Sequence, residues 1–170
     1  KEAKANYNIK IMEEQLSDIS QLATLEYRYK ADAKYDGGAR QAFGWDIPLT
    51  SKSMLVYYEG IVKAGPDLAD IDVDLNQAAG RLKITLSHSK ILSHEIDQDT
   101  WEVLDVDNGL FNRVTPEDNS EFVKAQKHKM EQEIAESDLL AQADERAVKQ
   151  MEQFVKVTYP QLQAQVVFEG

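Results

Sequence analysis

Without a single cysteine, the chain has no thiol nucleophile, no Cys-ligated zinc site and no disulfide framework, so catalysis would fall to His88, His94, His128 and thirty carboxylates. His94-Glu95-Ile96-Asp97-Gln98 begins like the zinc-peptidase helix, in which two histidines one turn apart hold the metal and the intervening Glu is the base. Gln98 stands where the second His belongs, which leaves surface or hydrogen-bonded histidines as the simpler expectation. The acids Asp67, Asp70, Asp72 and Asp74 invite a calcium loop. With Asp70, Asp72 and Asp74 at loop positions one, three and five, Leu75 occupies the place of the sharp-turn Gly and Arg81 that of the closing bidentate Glu. Their alternation with Ile71, Val73 and Leu75 is the period of a strand.

Other reaction signatures fail in similar ways. Gly37, Gly38 and Gly44 lack the Gly-Lys-Ser/Thr close of a phosphate loop, and no Gly-x-Ser-x-Gly elbow presents a hydroxyl nucleophile. Carboxylate pairs for glycoside cleavage need a pocket that sets their separation, and the sequence specifies none. No catalytic residue, metal ligand or cofactor is therefore expected. The candidate contact residues are Phe43 and Trp45, which flank Gly44 in a glycine-rich loop, where large aromatics can grip a partner or fold back over a sheet edge. Tyr27, Tyr29, Tyr35 and Tyr58 can line a groove, but a tyrosine face on a sheet is more simply the surface beneath a helix.

A formal charge of −11 opposes nucleic acid and anionic membranes unless a basic patch intervenes. The nearest candidate, Lys124 to Lys129, is interleaved with Glu121, Glu131 and Glu133 at helical spacing and reads as a solvated helix face. No run reaches the roughly 18 apolar residues of a membrane span. A chain that begins at Lys1 rather than Met is expected to be a fragment or processed form, with any signal or anchor upstream.

The elements that must position these residues follow from periodicity. Ile9, Met12, Leu16 and Ile19 define an amphipathic helix over about 7–20. Leu25, Tyr27, Tyr29, Ala31, Ala33 and Tyr35 alternate with charged residues in a long strand over about 22–35. After the 36–48 loop, strands are expected at about 53–64, 71–76, 81–87, 100–106 and 162–168, with 71–76 and 81–87 forming a hairpin. Thr115-Pro116-Glu117-Asp118 opens a helix over about 116–136, and Leu140, Ala143, Ala147, Met151, Phe154 and Val155 form the stripe of another over about 138–158. The expected fold is one α+β domain over 1–170, a mainly antiparallel sheet with the N-terminal helix and two C-terminal helices packed on one face.

Tyr58-Glu59-Gly60-Ile61-Val62-Lys63-Ala64-Gly65-Pro66-Asp67-Leu68, with Ile84-Thr85-Leu86-Ser87-His88-Ser89, Leu25-Glu26-Tyr27 and Leu139-Leu140-x-x-Ala143-x-x-x-Ala147, resembles the bacterial domain-of-unknown-function family 4230 over residues 10 to 168. The resemblance implies a single N-terminal membrane anchor followed by a soluble domain in a cell-envelope setting. It supplies no catalytic residue.

The chain is accordingly expected to be an extracytoplasmic binding module without catalysis. Its partner would be a protein or small ligand, and its membrane attachment would run only through a segment outside this sequence. A carboxylate- or His-dependent hydrolase acting on an envelope polymer is the alternative, and an oligomeric scaffold seamed along Leu140 to Val155 is a third reading.

Overall fold

A computed structural model describes residues 7–22 and 24–170. Three helices, α1 (Ile9–Leu22), α2 (Pro116–Glu136) and α3 (Leu139–Thr158), accompany eight strands among these residues. The strands are β1 (Leu25–Gly38), β2 (Gln41–Ala42), β3 (Trp45–Asp46), β4 (Lys52–Gly65), β5 (Asp72–Asn76), β6 (Arg81–Leu86), β7 (Lys90–Asp107) and β8 (Gln163–Phe168). The fold is α+β, and its contacts group into two compact units. One unit holds the described residues up to Glu26 with Lys63–Ser93 and Ser137–Gly170, and the other holds Tyr27–Val62 with His94–Glu136.

In the first unit, β5 and β6 form the expected antiparallel hairpin, with Val73 opposite Ile84 and Leu75 opposite Leu82. On its wet face Asp74 opposes Lys83, a favourable cross-strand pair, while Asp72 faces Thr85 and Arg81 faces Asn76. Gly80 closes the turn at positive φ, and Asn76 Oδ1 accepts from Ala79 N–H. β8 adds to β6 in parallel, Leu82 beside Ala164 and Ile84 beside Val166. A parallel partner needs a long return path, and the chain between β6 and β8 provides it. Helices α1 and α3 cover one face of this sheet. Met12 and Leu16 meet Ala147, Met151 and Val155 over Leu82, Ile84 and Leu86 in one buried cluster. The stripe on α3 that a scaffold would use as its seam is thus occupied within the unit.

The second unit is built on β1, β4 and β7, with β4 central. Gly37 lies against Lys52 and Tyr29 against Gly60, so residue numbers rise on β1 as they fall on β4 and the pair is antiparallel. Glu59 N–H donates to Thr100 Oγ1, and Gly109 lies against Thr50 and Ser51, which sets the same sense between β4 and the β7 side. Met54, Val56, Tyr58, Gly60 and Val62 are buried at alternate positions of β4, as period two requires. Helix α2 begins at the expected residue with a reciprocal cap, since Asp118 N–H donates to Thr115 Oγ1 while Thr115 N–H donates to Asp118 Oδ2. Phe122 and Ile134 are its buried residues, and the Phe122 ring meets Tyr35 edge-on. The three expected helices therefore divide, two on the β5–β6–β8 sheet and one in the second unit.

Two local expectations need adjustment. β7 starts at Lys90, ten residues before the expected strand, because cross-strand pairing carries a stretch rich in His, Glu, Asp and Gln that has little intrinsic strand preference. Tyr27, expected to be buried with Tyr29, is 39% exposed. Sharing a face does not confer the same cover: Tyr29 lies over Gly60 and meets Tyr58 and His94, whereas Tyr27 stacks along Tyr29.

Candidate functional site

The 39–51 connection between β1 and β4 folds as a small hairpin rather than an irregular loop. Ala42 pairs with Trp45 and Gln41 with Asp46, leaving Phe43-Gly44 as a two-residue turn. Both turn residues have positive φ, 52° at Phe43 and 79° at Gly44, as a type I′ turn requires. Asn or Gly ordinarily takes the first of these positions, and here it holds a fully exposed phenylalanine.

Beside this hairpin lies the connection from β7 to α2. Gly109 and Asn112 bridge across an apex formed by Leu110 and Phe111. Leu110 N–H donates to Leu49 O at 2.7 Å, and Asn112 Nδ2 donates to Thr50 O. Gly109 is needed for this junction, because a Cβ there would overlap the Thr50 and Ser51 backbone. Thr50 is the hub: it is buried, its Oγ1 accepts from Arg40 N–H at 2.8 Å, and the same hydroxyl donates to Ile47 O at 2.7 Å.

This polar framework presents apolar side chains to solvent. Trp45 is 79% exposed, Leu49 76%, Phe111 88% and Leu110 57%. Phe43, Leu49 and Phe111 are also the described non-glycine residues with positive φ. For a bulky L-residue that region is strained. Three exposed apolar residues thus share this region of backbone space at one loop end. Phe43 and Trp45 belong to this cluster, and Leu49, Leu110 and Phe111 were not singled out from the sequence. Their signal was present as apolar residues beside turn formers, Pro48-Leu49-Thr50 and Asn108-Gly109-Leu110-Phe111.

The histidines occupy separate settings. His94 Nε2 lies 2.6 Å from Tyr29 Oη and its Nδ1 3.0 Å from Glu131 Oε1. With its proton on Nδ1, the imidazole donates to Glu131 and accepts from Tyr29. Burial, with Tyr58 and Glu131 nearby, pushes the Tyr29 phenol above its ordinary range and keeps it a donor. The carboxylate, imidazole and hydroxyl follow the order of a catalytic relay, but the hydroxyl is buried over Gly60, so the group locks β1, β7 and α2 together.

In the first unit, His88 Nδ1 lies 2.8 Å from Asp144 Oδ2, and its ring stacks on Phe168. Asp144 Oδ1 also accepts Ser89 N–H at 2.6 Å. Burial raises the Asp144 carboxyl, and the hydrogen bonds from His88 and Ser89 more than offset this, leaving it below the ordinary range. Ser89 Oγ has no hydrogen-bond partner among the described residues, so it is not paired with His88 as a nucleophile would be. His128 is exposed on α2.

The acidic run is likewise structural. Asp67 caps the 3-10 turn Leu68–Asp70 and pairs with Lys90 at 2.7 Å, while Asp72 and Asp74 lie on β5. No group of three or more His, Asp or Glu among the described residues is arranged to hold a metal. A cavity of about 150 Å³ is lined by Tyr29, Lys30, Glu59 and Asp97.

The described structure is thus an α+β fold with an exposed apolar loop end, in which His88 and His94 are tied into hydrogen bonds with carboxylates. The chain belongs to the family described as "Protein of unknown function (DUF4230)", whose model matches residues 14–164. No curated protein and no solved structure matches it. No helix among the described residues is long and apolar enough to cross a membrane.

Proposed function

We propose that this chain is a non-catalytic binding module, the extracytoplasmic part of a membrane-anchored bacterial protein, and that it acts through the loop end carrying Phe43, Trp45, Leu49, Leu110 and Phe111. The observation that carries the reading is the coincidence of exposure and strain at Phe43, Leu49 and Phe111 on a hydrogen-bonded framework. Pre-formed apexes lower the ordering cost of association, Trp is among the side chains that most often dominate contact energies, and Phe is enriched at interface cores. The envelope setting is supported by the family resemblance. The hydrolase alternative draws no support from His88 or His94, each of which has one carboxylate in hydrogen-bond range among the described residues.

Site-specific photo-crosslinking in living cells tests the contact surface. A photoreactive residue at position 43 or 111 is expected to give a discrete adduct, whether with protein, lipid or a second copy. The same residue at exposed Gln98, in the same unit, is expected to give none. Equal labelling at all three positions, or none at any, refutes the reading. Thiol labelling of a cysteine placed at Gln98, with and without outer-envelope permeabilisation, tests the compartment.

A further inference from the structure

We infer that the partner of this loop end is the interfacial region of a phospholipid bilayer, so that the chain contacts membrane directly as well as through any anchor. The inference rests on the contact-surface reading above and names what is contacted. Charge is the first argument. Residues 39–51 and 108–115 carry Arg40, Arg113 and Asp46, a formal +1 in a chain of −11. Both arginines are exposed, and each lies within three residues of an apolar apex in sequence. Cations beside Trp, Phe and Leu match a layer in which phosphodiesters lie above hydrocarbon.

Shape is the second argument. Phe43 and Phe111 project from separate turn apexes, and Trp45 and Leu49 are exposed beside them. A convex set of independent prongs needs a matching set of pockets in a protein partner, whereas a fluid acyl boundary accommodates each one separately. Hydrogen bonds through Thr50, Asn112, Leu49 and Leu110 hold the framework behind the prongs in place.

The test uses the full chain with Trp101→Phe, which leaves Trp45 as the sole tryptophan, and vesicles of phosphatidylcholine alone or with phosphatidylglycerol. Expected are co-sedimentation with both, a blue shift of Trp45 emission, and quenching by lipids brominated on the acyl chain. Phe43→Ser and Phe111→Ser should each weaken partitioning about tenfold, the scale of one aromatic side chain removed from an apolar layer. Arg40→Glu with Arg113→Glu should weaken binding to the phosphatidylglycerol vesicles more than to the neutral ones. Circular dichroism melts confirm that each variant is folded. Failure of folded protein to bind vesicles, or binding indifferent to the Phe substitutions, overturns the inference. If vesicles fail while crosslinking from position 43 still yields a discrete protein adduct, the lipid assignment falls and the contact surface stands; if both fail, both fall.

Discussion

Gly60→Ala is the sharpest probe of how the second unit is held together. A Cβ at position 60 would overlap Cζ, Oη and Cε1 of Tyr29, whose ring lies across the glycine from the neighbouring strand. This is an aromatic ring covering a bare strand backbone, and it is also what brings Tyr29 Oη to 2.6 Å from His94 Nε2. Displacing the ring incurs about 1–3 kcal/mol of overpacking. Leaving His94 Nε2 without its donor inside the unit adds about 1–3 kcal/mol. The backbone gain of Ala over Gly in a strand returns roughly 0.5–1 kcal/mol. The expected net loss is therefore about 1–5 kcal/mol, read from urea unfolding followed by far-ultraviolet circular dichroism. The decisive comparison is a double-mutant cycle with Tyr29→Val. Once the ring is gone, Gly60→Ala should be neutral or slightly stabilising, giving a coupling of at least about 2 kcal/mol. Equal costs in the two backgrounds, within about 0.5 kcal/mol, would refute the ring-over-glycine account.

Other elements make separable predictions. Asp118→Ala removes the acceptor of Thr115 N–H, the reciprocal half of the α2 cap, together with the partner of Lys52 Nζ, 2.6 Å away, and should cost about 1–2 kcal/mol in thermal unfolding. The Lys52 bond, with help from Thr115 and Tyr35, holds the Asp118 carboxyl below its ordinary value. Its stabilisation is thus complete above the unfolded pKa of about 3.9 and is lost as pH falls from there toward the lower folded value. Below pH 4 the wild-type melting temperature should fall faster than that of Asp118→Ala, and parallel pH profiles would count against the assignment. Asp144→Ala strips the acceptor from Ser89 N–H and His88, so hydrogen exchange at the Ser89 amide should accelerate by at least tenfold, the equivalent of about 1.4 kcal/mol; unchanged protection would show that the bond is not holding that turn. Leu49→Gly and Phe111→Gly relieve positive φ, so each should leave stability unchanged or raise it by up to about 1 kcal/mol, and a loss above 1 kcal/mol would mean that these residues serve packing.

Most of this architecture is legible in the order of residue types. The Thr115 to Asp118 start, the α3 stripe and the Val73/Ile84 hairpin each combine a local preference with a burial period, and local and tertiary forces agree there. What escaped the sequence is what depends on partners far along the chain. In Lys90 to Asp99 only Ile91 and Ile96 favour a strand, among polar residues that give no sustained alternation until β4 supplies a partner, and nothing in the tail shows that β8 joins β6 in parallel. At the loop end, Phe43 and Trp45 stand out because aromatics are unusual between glycines. Leu49 and Phe111 become conspicuous only once Gly109 brings the second connection against Thr50.

The same comparison bears on why the loop end exists. A hairpin of this geometry folds more easily with Asn at position 43, and the apexes at 49 and 111 would be less strained as glycine. Each bulky residue in the left-handed region costs about 1–2 kcal/mol, and large exposed side chains return little of that as packing. The surrounding polar groups are, by contrast, economically used: one threonine hydroxyl closes the hairpin, one asparagine amide ties the second connection to it, and one glycine lets the backbones touch. Stability alone would favour the same framework with polar apexes. A framework that holds apolar apexes rigidly in water gains from them only when something apolar arrives, which is why the loop end, and neither the buried His94 lock nor the His88–Asp144 pair, carries the functional reading.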